Sequence, residues 1–114
     1  MAFSEFEIKQ IEKIVGTFCD NRVPERALDQ LKIGFRIDGQ NIFLFESRPR
    51  WDKPSEWLDL DFVKIIYVKS RGIWKLYWKR ASGKWDQYKP HFEANDIGKL
   101  IKTIDEDLYG CFFG

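Results

Sequence analysis

The sequence predicts an α+β domain: an N-terminal helix, an antiparallel meander sheet of about five strands and a C-terminal helix, with the helices packed on one sheet face. Three observations predict it. Apolar residues recur with a helical period at both ends of the chain. Between the ends the period switches to two, broken by short turn signals. The 114 residues suit one domain, 1–114, and leave no room for a second.

The first helix carries its own start signal. Ser4 with Glu7 forms a capping box, and Phe3 with Ile8 can staple it. Ile8, Ile11, Ile14, Val15 and Phe18 then make one apolar stripe. Asn21 is a stop and Pro24 enforces it, because proline removes a helix hydrogen bond. Pro24 can also open a short further turn through Leu28. From Leu31 the alternation begins: Ile33, Phe35 and Ile37, then Asp38-Gly39, then Ile42, Leu44 and Glu46. Alternation around Asp-Gly is a strong hairpin signal. Pro49 to Ser55 reads as loop. Leu58–Lys69, Ile73–Arg80 and Lys84–Tyr88 read as three more strands, joined at Ser70-Arg71-Gly72 and Ser82-Gly83. Asn95 is read as the cap of a closing helix with Ile97, Leu100, Ile101 and Ile104 on one face.

Composition excludes several classes. With 44% hydrophobic and 32% charged residues the chain is neither disordered nor a membrane span. The 10 Phe, 5 Trp and 4 Tyr are unusually many and supply most of the candidate core. Net charge is +1, so no global field steers the protein to nucleic acid or membrane. The charge is unevenly spread: residues 1–61 carry −3, residues 62–90 carry +7 and residues 91–114 carry −3. Met1 to Glu5 has neither a basic nor an apolar leader region, so a cytoplasmic location is expected. The two cysteines would then be reduced thiols. Cys19 reads as core. Cys111-Phe112-Phe113-Gly114 has the shape of a prenylation box but lacks its usual last residue and basic lead-in, so the Phe pair reads as a docked tail.

Alternation sorts the middle strands into two faces, with Arg71-Gly72 and Ser82-Gly83 taken as two-residue loops. One face carries Val63, Ile65, Tyr67, Trp74, Leu76, Trp78 and Trp85 and should meet the helices. The other carries Lys64, Ile66, Val68, Lys75, Tyr77, Lys79, Asp86 and Tyr88. In this register Lys64 opposes Lys79, with Asp86 beside them. Cations that neutralise phosphates, interleaved with rings on which bases stack, are what single-stranded nucleic acid needs. Tyr77 and Tyr88 with Lys64, Lys75 and Lys79 fit that type, and Arg71 and Lys84 extend it from the turns. A plain solvated sheet face would hold the same residue types.

A second feature is Glu46-Ser47-Arg48. Glu46 and Arg48 continue the apolar face of Ile42 and Leu44, so they must be paired or sit at an opening. One reading is an ion pair of Glu46 with Arg36 or Arg50. The other is an acidic metal site, with Asp59 or Asp61 as second carboxylate, as in nuclease-like hydrolases. Arg48 stands where those enzymes carry a lysine, and an arginine cannot take that residue's role as a base. A third reading is a protein-interaction domain or homodimer, anchored by Trp51 and Trp57 if they are exposed. His91 is the only histidine, and no phosphate loop, nucleophile elbow or Cys-x-x-Cys is present, so no metal and no cofactor is expected. Asp105-Glu106-Asp107 is either a solvated helix end or a local partner for the basic strands.

Several blocks occur in order: Ile33 to Gln40, Phe45 to Trp51, Tyr67 to Arg71, Trp74 to Trp78, Lys84-Trp85 and Cys111 to Gly114. With the opening Phe3-Ser4-Glu5-Phe6, they resemble a bacterial family of short proteins known as domain of unknown function 3024. The resemblance covers nearly the whole chain. It implies a free-standing bacterial cytoplasmic domain and carries over no activity, cofactor or catalytic residue.

Overall fold

A computed structural model describes residues 3–113. Met1, Ala2 and Gly114 lie outside the described residues, and with them the start of the leader reading and the last residue of the prenylation-like box.

Helix α1 spans Glu5–Arg22. Its capping box is complete: the Ser4 hydroxyl accepts from the Glu7 N–H at 3.2 Å, and Glu7 accepts from the Ser4 N–H at 2.9 Å. Val23 ends it in an extended conformation, ahead of Pro24. A single 3-10 turn follows at Glu25–Ala27.

Strands β1 (Lys32–Asp38), β2 (Asn41–Pro49), β3 (Trp57–Val68), β4 (Ile73–Lys79) and β5 (Trp85–Gln87) form an antiparallel meander in that order. The first hairpin closes through Gly39-Gln40, with Asp38 still paired to Asn41. Gly39 takes the positive φ (61°) that the tight turn demands. A sixth strand, β6 (Glu93–Ala94), pairs with β4 beyond β5. The sequence did not announce it, because two residues carry no period. Between β5 and β6 the chain leaves the ladder in a 3-10 turn at Lys89–His91, where Pro90 has no N–H to give. Leu76 holds both ends of this excursion: its C=O accepts from the Tyr88 N–H and its N–H donates to the Phe92 C=O.

Helix α2 spans Ile97–Glu106 and is capped by Asp96, not Asn95; the Asp96 carboxylate accepts from the Gly98 N–H at 2.8 Å. The Asn95 side chain instead accepts from Lys99.

Both helices cover one sheet face, as expected. Ile11 and Val15 of α1 and Leu100 and Ile104 of α2 close over Ile42, Leu44, Val63, Ile65 and Leu76, all essentially dry. Each such side chain contributes about 1.5–3 kcal/mol. Phe3 stacks on Trp74 and touches Tyr67, fixing the start of α1 to the β3–β4 hairpin.

Two register details depart from simple alternation. The β3–β4 connection uses four residues, Lys69 to Gly72, so Lys64 opposes Tyr77 and not Lys79. The predicted like-charge pair is therefore replaced by a cation beside a ring. The β4–β5 connection uses five, Arg80 to Lys84, so Lys79 opposes Trp85 and Trp78 opposes Asp86. That one-residue shift exchanges faces. Trp85 moves to the uncovered face. Asp86 moves to the helix side, beside Arg80. Tyr88 becomes core, 2% exposed against Phe112.

The C-terminal tail docks as expected. Asp107 ends α2 at a left-handed φ of 43°, and its carboxylate accepts from the N–H groups of Phe112 (3.0 Å) and Phe113 (2.8 Å). Phe112 is buried and Phe113 meets Phe18 and Phe62. The acidic run therefore serves neither basic strand: Asp105 pairs with Arg22 of α1 and Asp107 holds the tail.

Two outcomes follow. Asp107→Gly keeps the left-handed backbone and loses both bonds, so urea unfolding should show a loss of about 1.5–3 kcal/mol, the value of hydrogen bonds to a charged acceptor. At Gly34, opposite Phe45, an added Cβ would meet the Phe45 ring at 2.7 Å. Gly34→Ala in a strand would otherwise gain about 0.5–1 kcal/mol. The overpacking here costs about 1–3 kcal/mol, so the same assay should show net destabilisation.

Candidate binding face

The sheet face away from the helices is built by alternation from six strands. Arg36 stands opposite Phe43, Phe43 opposite Lys64, and Lys64 opposite Tyr77. Next along the sheet are Lys79 with Trp85, and Lys75 with Glu93. Among the described residues no helix packs here, because the core lies on the other side.

Cations lie over the rings of this face. The Arg36 guanidinium sits 4.5 Å from the Phe43 ring centre. Lys64 Nζ is 6.0 Å from Phe43 and 5.7 Å from Tyr77. Lys79 lies 5.6 Å from Trp85, and Lys75 lies 5.6 Å from Phe92. At the far corner Lys32 lies 4.7 Å from Trp57. The rings also touch one another: Phe43 meets Trp85 at 6.0 Å, and Tyr77 meets Phe92 edge-on at 5.3 Å. Each cation shields a half-buried ring from water at a gain of about 0.5–1 kcal/mol.

Carboxylates occupy the margins. Asp61 takes both nitrogens of Arg36, at 2.6 and 2.8 Å. That fork holds the Asp61 carboxyl below its ordinary range, helped by the charge of Lys79. Glu93 faces Arg71 at 3.6 Å and Lys75 at 4.0 Å. Lys64 and Lys79 have no carboxylate within 4.0 Å among the described residues.

Of the basic aromatic set read from the sequence, Lys64, Lys75, Tyr77 and Lys79 come together on this face. Arg71 borders it at the β3–β4 turn, and exposed Lys84 lies in the β4–β5 loop. Tyr88 does not join them, because the β4–β5 register turns it into the core. Phe43, Trp85, Phe92 and the cation role of Arg36 were missed. Phe43 was legible, since it alternates with Leu44; Trp85 was hidden by the loop length.

The polar set Arg36, Glu46, Arg48, Asp59 and Asp61 is divided by the sheet. Asp59 pairs in register with Ser47, and Asp61 with Phe45, so both lie on the open face with Arg36. Glu46 and Arg48 lie on the helix side, bonded to each other at 3.2 and 3.3 Å. Glu46 therefore pairs with neither Arg36 nor Arg50; Arg50 holds Asp52 and Glu56. Among the described residues no group of three or more His, Cys, Asp or Glu is placed to hold a metal ion.

Other candidates resolve into structure. His91 Nδ1 contacts the Thr103 hydroxyl, tying the β5–β6 excursion to α2. The same hydroxyl lies within hydrogen-bond distance of the Lys99 C=O, at 3.0 Å. Burial pushes the Cys19 thiol up to about 12, which leaves it inert. Trp57 is half-buried under Lys32, while Trp51 is 94% exposed in the β2–β3 loop. No helix is long and apolar enough to cross a membrane among the described residues.

The Arg36–Asp61 fork yields a pH signature. A carboxyl whose folded value is depressed contributes its full stability above the ordinary carboxylate range and loses it as pH falls through the folded value. Asp61→Asn should therefore be less stable than the parent at pH 7. The difference should shrink below about pH 4, measured as urea midpoints across a pH series.

Comparison with known proteins gives a family and no activity. The family model described as Domain of unknown function (DUF3024) matches residues 3–114, so the chain belongs to that family. No curated protein and no solved structure matches it.

Proposed function

We propose that this member of a family of unknown function is a small binding module that takes single-stranded nucleic acid on its open sheet face. One observation carries the reading: Arg36, Lys64, Lys75 and Lys79, all on strands, lie over the rings of Phe43, Tyr77, Phe92 and Trp85 on the face away from both helices. Cations and rings are thus present in the pairing that a stacked base and its phosphate require. The energetics favour exchange. Moving an ammonium off a ring gives up about 0.5–1 kcal/mol, while a base stacking there gains about 1–3 kcal/mol. The displaced ammonium then meets phosphate. The near-zero net charge fits a local site.

The free thiols of Cys19 and Cys111 suit a reducing compartment, and a cytoplasmic location belongs with this reading. The hydrolase alternative has less support, because the sheet itself stands between Glu46 and Asp59 or Asp61.

The test is tryptophan fluorescence with mixed-sequence single-stranded DNA and RNA of about a dozen nucleotides, at low and moderate salt. Trp85 reports from the face itself. Binding should weaken with salt at a slope of about −2 to −3, since each neutralised phosphate contributes about −0.7. Lys64→Glu with Lys79→Glu should abolish it, and Tyr77→Ala should cost about 1–3 kcal/mol. Absence of binding at low salt would overturn the reading.

A further inference from the structure

We infer that the lower half of β3 is a docking edge for an extended peptide strand whose side chains alternate basic and apolar. β4 pairs with β3 only over Val63–Val68. From Trp57 to Phe62, β3 has β2 on one side and, among the described residues, no strand on the other. The Arg50 N–H donates to the Glu56 C=O at 2.8 Å. Counting up the ladder in twos, Leu58 and Leu60 turn their backbone groups to β2. Trp57, Asp59 and Asp61 turn theirs to the vacant side. An incoming strand would find three residues' worth of unpaired donors and acceptors.

The side chains select the occupant. On the helix side Leu58 and Leu60 are 51% and 61% exposed. On the open face Asp59 has no cation within 4.0 Å among the described residues, while Asp61 is held by Arg36. Apolar on one face and carrying the unpaired Asp59 carboxylate on the other, the edge complements a strand that is apolar on one face and places a cation opposite Asp59 on the other. A second copy with its helices on the same side is disfavoured, because antiparallel pairing would set Asp59 against Asp59 or Asp61.

The probe is a capped seven-residue peptide of alternating Lys and Val, titrated into the full isotope-labelled chain and followed by amide shifts. The shifts should concentrate at Trp57, Asp59 and Asp61, and hydrogen exchange at those three amides should slow. Asp59→Pro removes an N–H that β2 does not use, and should weaken binding about tenfold or more. Two N-methylated peptides give the same answer without changing the protein. Methylation on the residues facing β3 should weaken binding about tenfold, and on the alternate set it should not. A Glu-Val peptide should not bind. No shifts at millimolar Lys-Val peptide, equal binding by both methylated forms, or a dimer of the free chain that Asp59→Pro dissolves would each overturn the proposal.

Discussion

One extra residue in β3 governs the sheet. Leu44 faces Val63, yet its neighbour Phe45 faces Asp61, so Phe62 is inserted as a bulge. Because side chains alternate with a period of two, everything below that point changes face relative to an unbroken strand. Above it Val63 and Ile65 point into the core and Lys64 points out. Below it Leu60 and Leu58 continue on the helix side, and Asp61 and Asp59 join Lys64. The Arg36–Asp61 fork exists only because of this insertion. So does the separation of Glu46 from the two aspartates. The bulge also marks where β4 stops following β3, and hence where the free edge begins.

The open face is held together by weak pairings that reinforce one another. No single cation–ring contact contributes much in contact with water. Set side by side over five strands they cover rings that would otherwise form an exposed apolar patch, a liability on a face in contact with water. The β4–β5 loop contributes the last ring: its five residues, against the two that Ser82-Gly83 suggests, bring Trp85 to this side and send Tyr88 into the core. The Asp107 carboxylate completes the other side by pinning Phe112 beneath Tyr88.

Much of the architecture was legible in the sequence. Ser4 with Glu7, the stripes Ile8 to Phe18 and Ile97 to Ile104, and alternation around Asp38-Gly39 are local signals, and local hydrogen bonding and burial decide them. The faces of β4, and of β3 above Lys64, were legible for the same reason. What escaped depends on counting residues across irregularities. Nothing local marks Phe62 as inserted, and nothing between Arg80 and Lys84 states the loop length. Either miscount by one moves a carboxylate or an indole through the sheet. The candidate site was therefore half visible: Lys64, Lys75, Tyr77 and Lys79 lie between the irregularities, whereas Trp85, Tyr88, Asp59 and Asp61 lie beyond them.

Contacts between α-protons across β2 and β3 test the bulge most directly, because pairs not joined by hydrogen bonds bring those protons close. The bulge at Phe62 predicts strong nuclear Overhauser contacts for Phe43 with Lys64, and for Ser47 with Asp59. An unbroken ladder would instead join Ser47 to Leu60. That second contact would remove the bulge, and with it the placement of Asp59 and Asp61 on the open face.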